Sequence, residues 1–270
     1  PARMAAIRTK PVTGICSDMP ELVNPFRPPS DYPFGIVCHR GANTIAPENT
    51  LPALECALAA GFDVIELDMH ITADGEIVVI HDPTLERTTD GAGPVTQKTL
   101  ADLRKLDAGA WFDPFFRGTQ IPTLEEVLSL LQKYGGRAYL EFKSAPPAPV
   151  LERVERAGML DRVFFWSFNR DYLVTLRQLS ATAQIMARRQ DYPSLDETIA
   201  DFDANIIEFT PDASPLDIAS LRGSSIRSMV AFMGGDTKMF AHLICLRPDL
   251  FNLNQPFEFA RYVSRGLRDG

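Results

Sequence analysis

The sequence predicts an α/β chain folded as a TIM-type (β/α)8 barrel with a small insertion after the second strand. Three observations carry that expectation. The length, 270 residues, suits one such barrel, which needs roughly 250. Apolar strand segments alternate with helix patterns along the whole chain. They close at eight strands once the segment IVVIHD is assigned to the insertion. Acid, base and metal-ligating residues gather at the carboxyl ends of the early strands, where barrel active sites are built.

Composition narrows the function. A hydrophobic content of 45% supplies a core, and a net charge of −8 argues against a nucleic-acid partner, since phosphate backbones need a basic surface. The four cysteines, Cys16, Cys38, Cys56 and Cys245, are scattered and form no C-x-x-C pair. They suggest neither a zinc knuckle nor a disulfide framework. Cys38 reads as a small buried apolar residue. No run of about 18 apolar residues is present, so no stable membrane insertion is expected. The first residues lack a signal-peptide core, and a cytoplasmic location is the default unless a leader has been removed. The sequence leaves room for a homo-oligomer.

Residues 1–33 contain Pro1, Pro11, Pro20, Pro25, Pro28, Pro29 and Pro33. Proline fixes φ and removes a donor, so an extended arm is expected, with the barrel at 34–270. The segment FGIVCH (34–39) is the first strand, and it delivers His39 and Arg40 to its carboxyl end. Asn49 or Thr50 caps a helix that Gly61 closes. The run VIELDM then brings Glu66 and Asp68 at i and i+2, on one face of the second strand. Two carboxylates side by side are costly unless a cation or proton neutralises them, and oxygen ligands suit Mg²⁺ or Ca²⁺ better than zinc. Asp74-Gly75 reads as a two-residue hairpin turn. The returning IVVIHD brings His81 and Asp82 back towards the carboxylates. His70 lacks an assignable role.

Residues 83–121 are too long for an ordinary barrel loop. They hold Trp111, Phe112, Phe115 and Phe116, which either line a wall for the substrate or pack the segment onto the barrel. Thr123 and Glu126 form a capping box. Then AYLEFK is the third barrel strand, with Glu141 and Lys143 alternating on one face. The segments 162–168, 184–189, 205–210, 226–233 and 249–254 complete the eight, with helix starts at Pro193-Ser194 and Ser214-Pro215.

The motifs HRG, APENT, the E-x-D pair, T-x-DG and the later HD, in that order, resemble the glycerophosphodiester phosphodiesterase family. The resemblance runs from about Gly35 to Phe168. It implies a TIM barrel whose mouth is capped by the insertion, about 70–121. It also implies a divalent cation held by Glu66, Asp68 and Glu141, and catalysis by His39 and His81. Arg40 and Lys143 would meet the phosphate of a small-molecule phosphodiester, and Glu48 would belong to the site. The reaction implied is hydrolysis to glycerol 3-phosphate and an alcohol, a step of lipid and glycerol metabolism. The resemblance frays on the last strands. Met229–Phe232 stand in place of a Trp-containing motif, and Leu253-Asn254-Gln255 in place of a T-D pair. Trp166 and Glu208 are candidate pocket residues that compensate. Phospholipase-D-like cleavage of lysophospholipids and a catalytically silent phosphate-binding barrel are the alternatives. A Schiff base on Lys143 is disfavoured, because nearby acids would hold it protonated.

Overall fold

Apolar runs too hydrophobic to have a wet face become strands buried on both sides, which is the mark of a parallel sheet. In the computed structural model, which describes residues 25–266, these are β1 (Gly35–Cys38), β2 (Val64–Ile71), β3 (Ile77–Val79), β4 (Arg137–Phe142), β5 (Val163–Trp166), β6 (Gln184–Arg188), β7 (Ile206–Phe209), β8 (Arg227–Phe232) and β9 (Leu250–Leu253). Their order is β1-β9-β8-β7-β6-β5-β4-β2-β3, and β1 also pairs with β2. That last pairing closes the ring. Only β3 lies outside it, antiparallel to β2, with His70 opposite Val78. The eight parallel strands form the expected TIM barrel, and IVVIHD belongs to the hairpin.

Local sequence sets the connections. Thr123 and Glu126 make the capping box in full before the helix Leu124–Tyr134. Ser194 and Ser214 cap the helices Leu195–Ala200 and Pro215–Ser220. Two local readings need correction. The hairpin loop spans three residues, Ala73–Gly75, because Thr72 N–H donates to Glu76 O at 2.9 Å, and Gly75 takes the left-handed conformation with φ 87°. Before the helix Leu51–Ala59, Thr50 occupies the cap position, but its hydroxyl donates to Pro47 O instead of accepting from the helix. Pro52 in the first turn already removes one of the donors a cap would satisfy.

The main core lies between the strands and the surrounding helices. Phe142 stacks on Phe165 with ring centroids 5.5 Å apart. A smaller core of Val78, Ile80, Leu85, Val95, Leu103, Ala108 and Ile121 packs the segment after β3. Phe116 joins that segment to the barrel through Ala46 and Ala53. At the amino end of the barrel, Phe26 lies against Phe34 and Phe62, and its N–H donates to Ala60 O at 2.8 Å. Gly61, at φ 92°, runs beside it where a Cβ would come within 2.8 Å of Pro25. The rest of the proline-rich arm, 1–24, lies outside the described residues.

Candidate active site

Strand ends deliver the acids. Glu66 and Asp68 share a face of β2, and Glu141 stands beside Asp68 in the β2–β4 register. All three are buried, and oxygens from each lie within 4.8 Å of one another. Glu66 Oε2 accepts from the Arg40 backbone N–H at 2.8 Å, which Arg40 can offer because it adopts φ 57°. Glu66 Oε1 has no protein donor. Burial, then the charges of Asp68 and Glu141, push the Glu66 carboxyl well above its ordinary pKa. Burial and Asp68 likewise push Glu141 up to about 7, against the pull of Lys143. Asp68 behaves differently. Burial raises it, but Lys143, His81, Arg40 and Asn49 together outweigh burial and hold it low. The Lys143 ammonium makes an ion pair with Glu141 and lies 3.2 Å from Asp68 Oδ1. These acids outweigh its burial and keep it protonated. An oxygen cluster that must retain a proton by itself, with an orphan acceptor, fits a hard divalent cation.

Two histidines flank the cluster, each with one ring nitrogen committed. Asn254, just after β9, donates its Nδ2–H to Met233 O at 2.8 Å. Its Oδ1 therefore faces His39 Nδ1 at 2.5 Å, and it also accepts from Asn43 Nδ2 at 3.0 Å. That fixes the Nδ1–H tautomer and leaves His39 Nε2 with a lone pair, 3.9 Å from Glu66. Burial and the neighbouring Arg40 lower the His39 pKa to about 4, so it is neutral near pH 7. His81 has an acidic partner instead, with Nδ1 2.6 Å from Asp82 Oδ1. Arg87 clamps Asp82 at 2.6 and 3.0 Å and reaches Glu48 at 2.8 and 3.0 Å. Glu48 in turn accepts from Arg40 at 3.0 Å. Arg87 holds the Asp82 carboxyl far below its usual range.

The strand ends open on a cavity of about 690 Å³ whose lining includes His39, Arg40, Glu66, His81, Glu141, Lys143 and Trp166. The structure thus brings together every site residue read from sequence except Trp111, with Asp68 joined through the carboxylate cluster and not through the cavity lining. Trp111 is 41% exposed in the inserted segment, outside the lining, with its indole N–H bonded to Ala108 O. Phe168, 70% exposed, and Arg188 complete the rim, and the guanidinium of Arg188 packs 4.8 and 4.7 Å from the Trp166 and Phe168 rings. His70 is structural: it is buried, bonded to Ser144 Oγ and to His81 O, and so braces the HD turn. Cys38 is fully buried, and burial pushes its thiol up, which makes it a packing residue. Sequence reading missed Arg87 and the tether from Asn254. Of the two residues offered for the helix cap, Thr50 holds that position, whereas Asn49 donates to Asp68 Oδ2 at 2.8 Å from a backbone at φ 56°.

The sequence profile of the glycerophosphoryl diester phosphodiesterase family matches residues 39–201. A glycerophosphodiester phosphodiesterase of Bacillus subtilis is 34% identical over 208 residues, 69% of this chain and 71% of that protein. YhdW of the same organism is 41% identical over 164 residues, but the match spans only 61% of this chain and 64% of that protein. The crystal structure of glycerophosphodiester phosphodiesterase from Agrobacterium tumefaciens is similar with a TM-score of 0.80 and 37% identity, covering 84% of this chain and 99% of that one. Among the described residues, no helix is long and apolar enough to cross a membrane.

Proposed function

The chain belongs to the glycerophosphoryl diester phosphodiesterase family, and from that premise we propose that it hydrolyses a glycerophosphodiester to sn-glycerol 3-phosphate and an alcohol, using Mg²⁺ or Ca²⁺. One observation carries the reading. Two histidines with opposite electronic support line the same cavity as a buried three-carboxylate cluster.

A divalent cation held by Glu66, Asp68 and Glu141 supplies Lewis-acid stabilisation of charge on the phosphoryl oxygens. Arg40 and Lys143 add fixed positive charge beside it, and Lys143 also balances the acids. His39, neutral and with Nε2 free, takes the proton from the attacking oxygen. His81, whose Nδ1 is held by the Asp82 carboxylate, gives a proton to the departing alkoxide. The clamp from Arg87 keeps Asp82 ionised, so Asp82 stabilises the imidazolium without taking its proton.

The charged and amide side chains in the lining favour a water-soluble diester. The exposed Phe168 and Met233 at the mouth supply a short apolar rim, which supports cleavage of a lysophospholipid as a second reading. The deciding assay follows release of sn-glycerol 3-phosphate from glycerophosphocholine and glycerophosphoethanolamine, with EDTA, Mg²⁺ and Ca²⁺ in parallel and lysophosphatidylcholine alongside. Metal-dependent release from the soluble diesters supports the first reading. Cleavage of the lysophospholipid alone supports the second. Binding of a phosphate ester without turnover in any metal would refute both.

A further inference from the structure

Across the barrel from the carboxylate cluster, the same cavity holds a polar pair that the hydrolysis leaves unused. Glu208 on β7 is 8% exposed and Asn252 on β9 is 3% exposed, and both line the cavity. In the closed ring, β7 stands opposite β2. The two side chains are hydrogen-bonded to each other. Burial pushes the Glu208 carboxyl up to about 7, and Asn252 acts against that shift by favouring the charged form, so its amide presents Nδ2–H to the carboxylate. That leaves Asn252 Oδ1, which is buried and has no protein donor. Its register neighbours, Ala231 on β8 and Val37 on β1, bring no side-chain donor. Of the register neighbours of Glu208, Met229 has no donor, and the Arg188 guanidinium donates to Asp191 at 2.9 and 2.8 Å instead.

A buried acceptor without a donor is destabilising, and an aliphatic residue at 252 would avoid that cost. Two adjacent acceptors on residues that line the substrate cavity suit a ligand with two adjacent donors. An ammonium group is the poorer candidate, because the positive charge of Arg188 also acts on Glu208. A quaternary ammonium has no donor at all. We propose that Glu208 and Asn252 form a hydroxyl-recognition subsite that binds an arm of the diester bearing neighbouring hydroxyl groups. This rests on the phosphodiesterase reading above and adds which chemical feature the enzyme selects. The hydroxyls belong either to the glycerol arm or to a polyol leaving alcohol.

The test compares kcat/KM for three diesters in the wild-type protein, Glu208→Met, Asn252→Leu and Glu208→Gln. Glycerophosphocholine carries hydroxyls on the glycerol arm only, glycerophosphoinositol on both arms, and bis(p-nitrophenyl) phosphate on neither. Each value is taken relative to the last substrate. The Glu208→Gln change barely alters shape, but its amide N–H can pair with Asn252 Oδ1 and close the subsite, so it tests the idea should the apolar variants fail to fold. At least a tenfold fall in both ratios assigns the subsite to the glycerol arm. A fall in the glycerophosphoinositol ratio alone assigns it to the leaving polyol. Unchanged ratios overturn the proposal. Should the wild type cleave none of the three, the phosphodiesterase reading fails separately. Calorimetric titration with sn-glycerol 3-phosphate, myo-inositol 1-phosphate and inorganic phosphate in the presence of Mg²⁺ then decides the subsite. A preference for either polyol phosphate that the variants lose tenfold supports it, and equal affinity for all three overturns it.

Discussion

Divalent-cation affinity is expected to climb steeply between pH 6 and pH 8. Glu141 is pushed up to about 7, first by burial and then by the charge of Asp68. A proton on Glu141 therefore competes with the cation. With that pKa, about one molecule in ten has Glu141 ionised at pH 6 and about nine in ten at pH 8, so this group alone makes apparent affinity rise about tenfold. Glu66, also raised, steepens the rise wherever its own proton must leave. The same shift has a stability sign. A carboxyl whose folded pKa exceeds its ordinary value of 4.5 stabilises the fold below that value and loses the contribution as pH climbs through about 7. For a side chain this buried, the loss is about 3 kcal/mol. The metal-free protein should thus lose ground to the metal-loaded one across that window. Calorimetric Mg²⁺ titration at pH 6, 7 and 8, in two buffers of different ionisation heat, reads both the affinity and the proton released. Glu141→Gln should bind more weakly and with a flatter pH slope. Equal affinity at all three pH values, with no buffer-dependent heat, would refute the reasoning.

His39→Ala and His81→Ala should each lower turnover by about 10²- to 10⁴-fold while calorimetric metal affinity stays within a few-fold. Near-normal activity of His81→Ala would sink the two-histidine mechanism. Asn254→Asp puts a carboxylate against His39 Nδ1 in place of an amide. A negative partner favours the imidazolium, so the His39 pKa rises above about 4 and the acid limb of the kcat/KM profile moves to higher pH. An unmoved limb, with ¹⁵N chemical shifts still reporting a neutral ring at pH 6, would contradict the tether. Arg87→Ala frees Asp82 and Glu48 together. Arg87 is largely exposed, so the melting temperature should hardly change while kcat falls about tenfold; an unaltered kcat would show that the clamp is dispensable.

The barrel was legible because its evidence is local. Each strand is a short apolar run, and Ser194, Ser214 and Thr123 announce their helices within a few residues. The carboxylate cluster was legible for the same reason, since Glu66 and Asp68 are two residues apart and register adds only Glu141. What escaped was whatever depends on distant pairing. Nothing near Asn254 signals that it will meet His39 across 215 residues, and Arg87 gives no local hint that it will bind Glu48 as well as Asp82. The role of Asn49, offered beside Thr50 as a helix cap, escaped for a related reason. Its type suits a helix cap, but its left-handed backbone swings the amide towards Asp68. Trp111 looked suited to a substrate wall because of its type alone, whereas its indole N–H is used locally, on the Ala108 carbonyl three residues earlier in the inserted segment.

The tether between His39 and Asn254 spans the seam where the first barrel strand meets the last. Residues 39–143 hold both histidines, all three acids and the lysine. Yet the carbonyl that sets the protonation pattern of His39 comes from a residue made more than a hundred positions later. A polypeptide still emerging from the ribosome can therefore carry all six of these side chains before the partner of His39 exists. The contact that fixes the His39 tautomer thus forms only when the first and last strands of the ring have met.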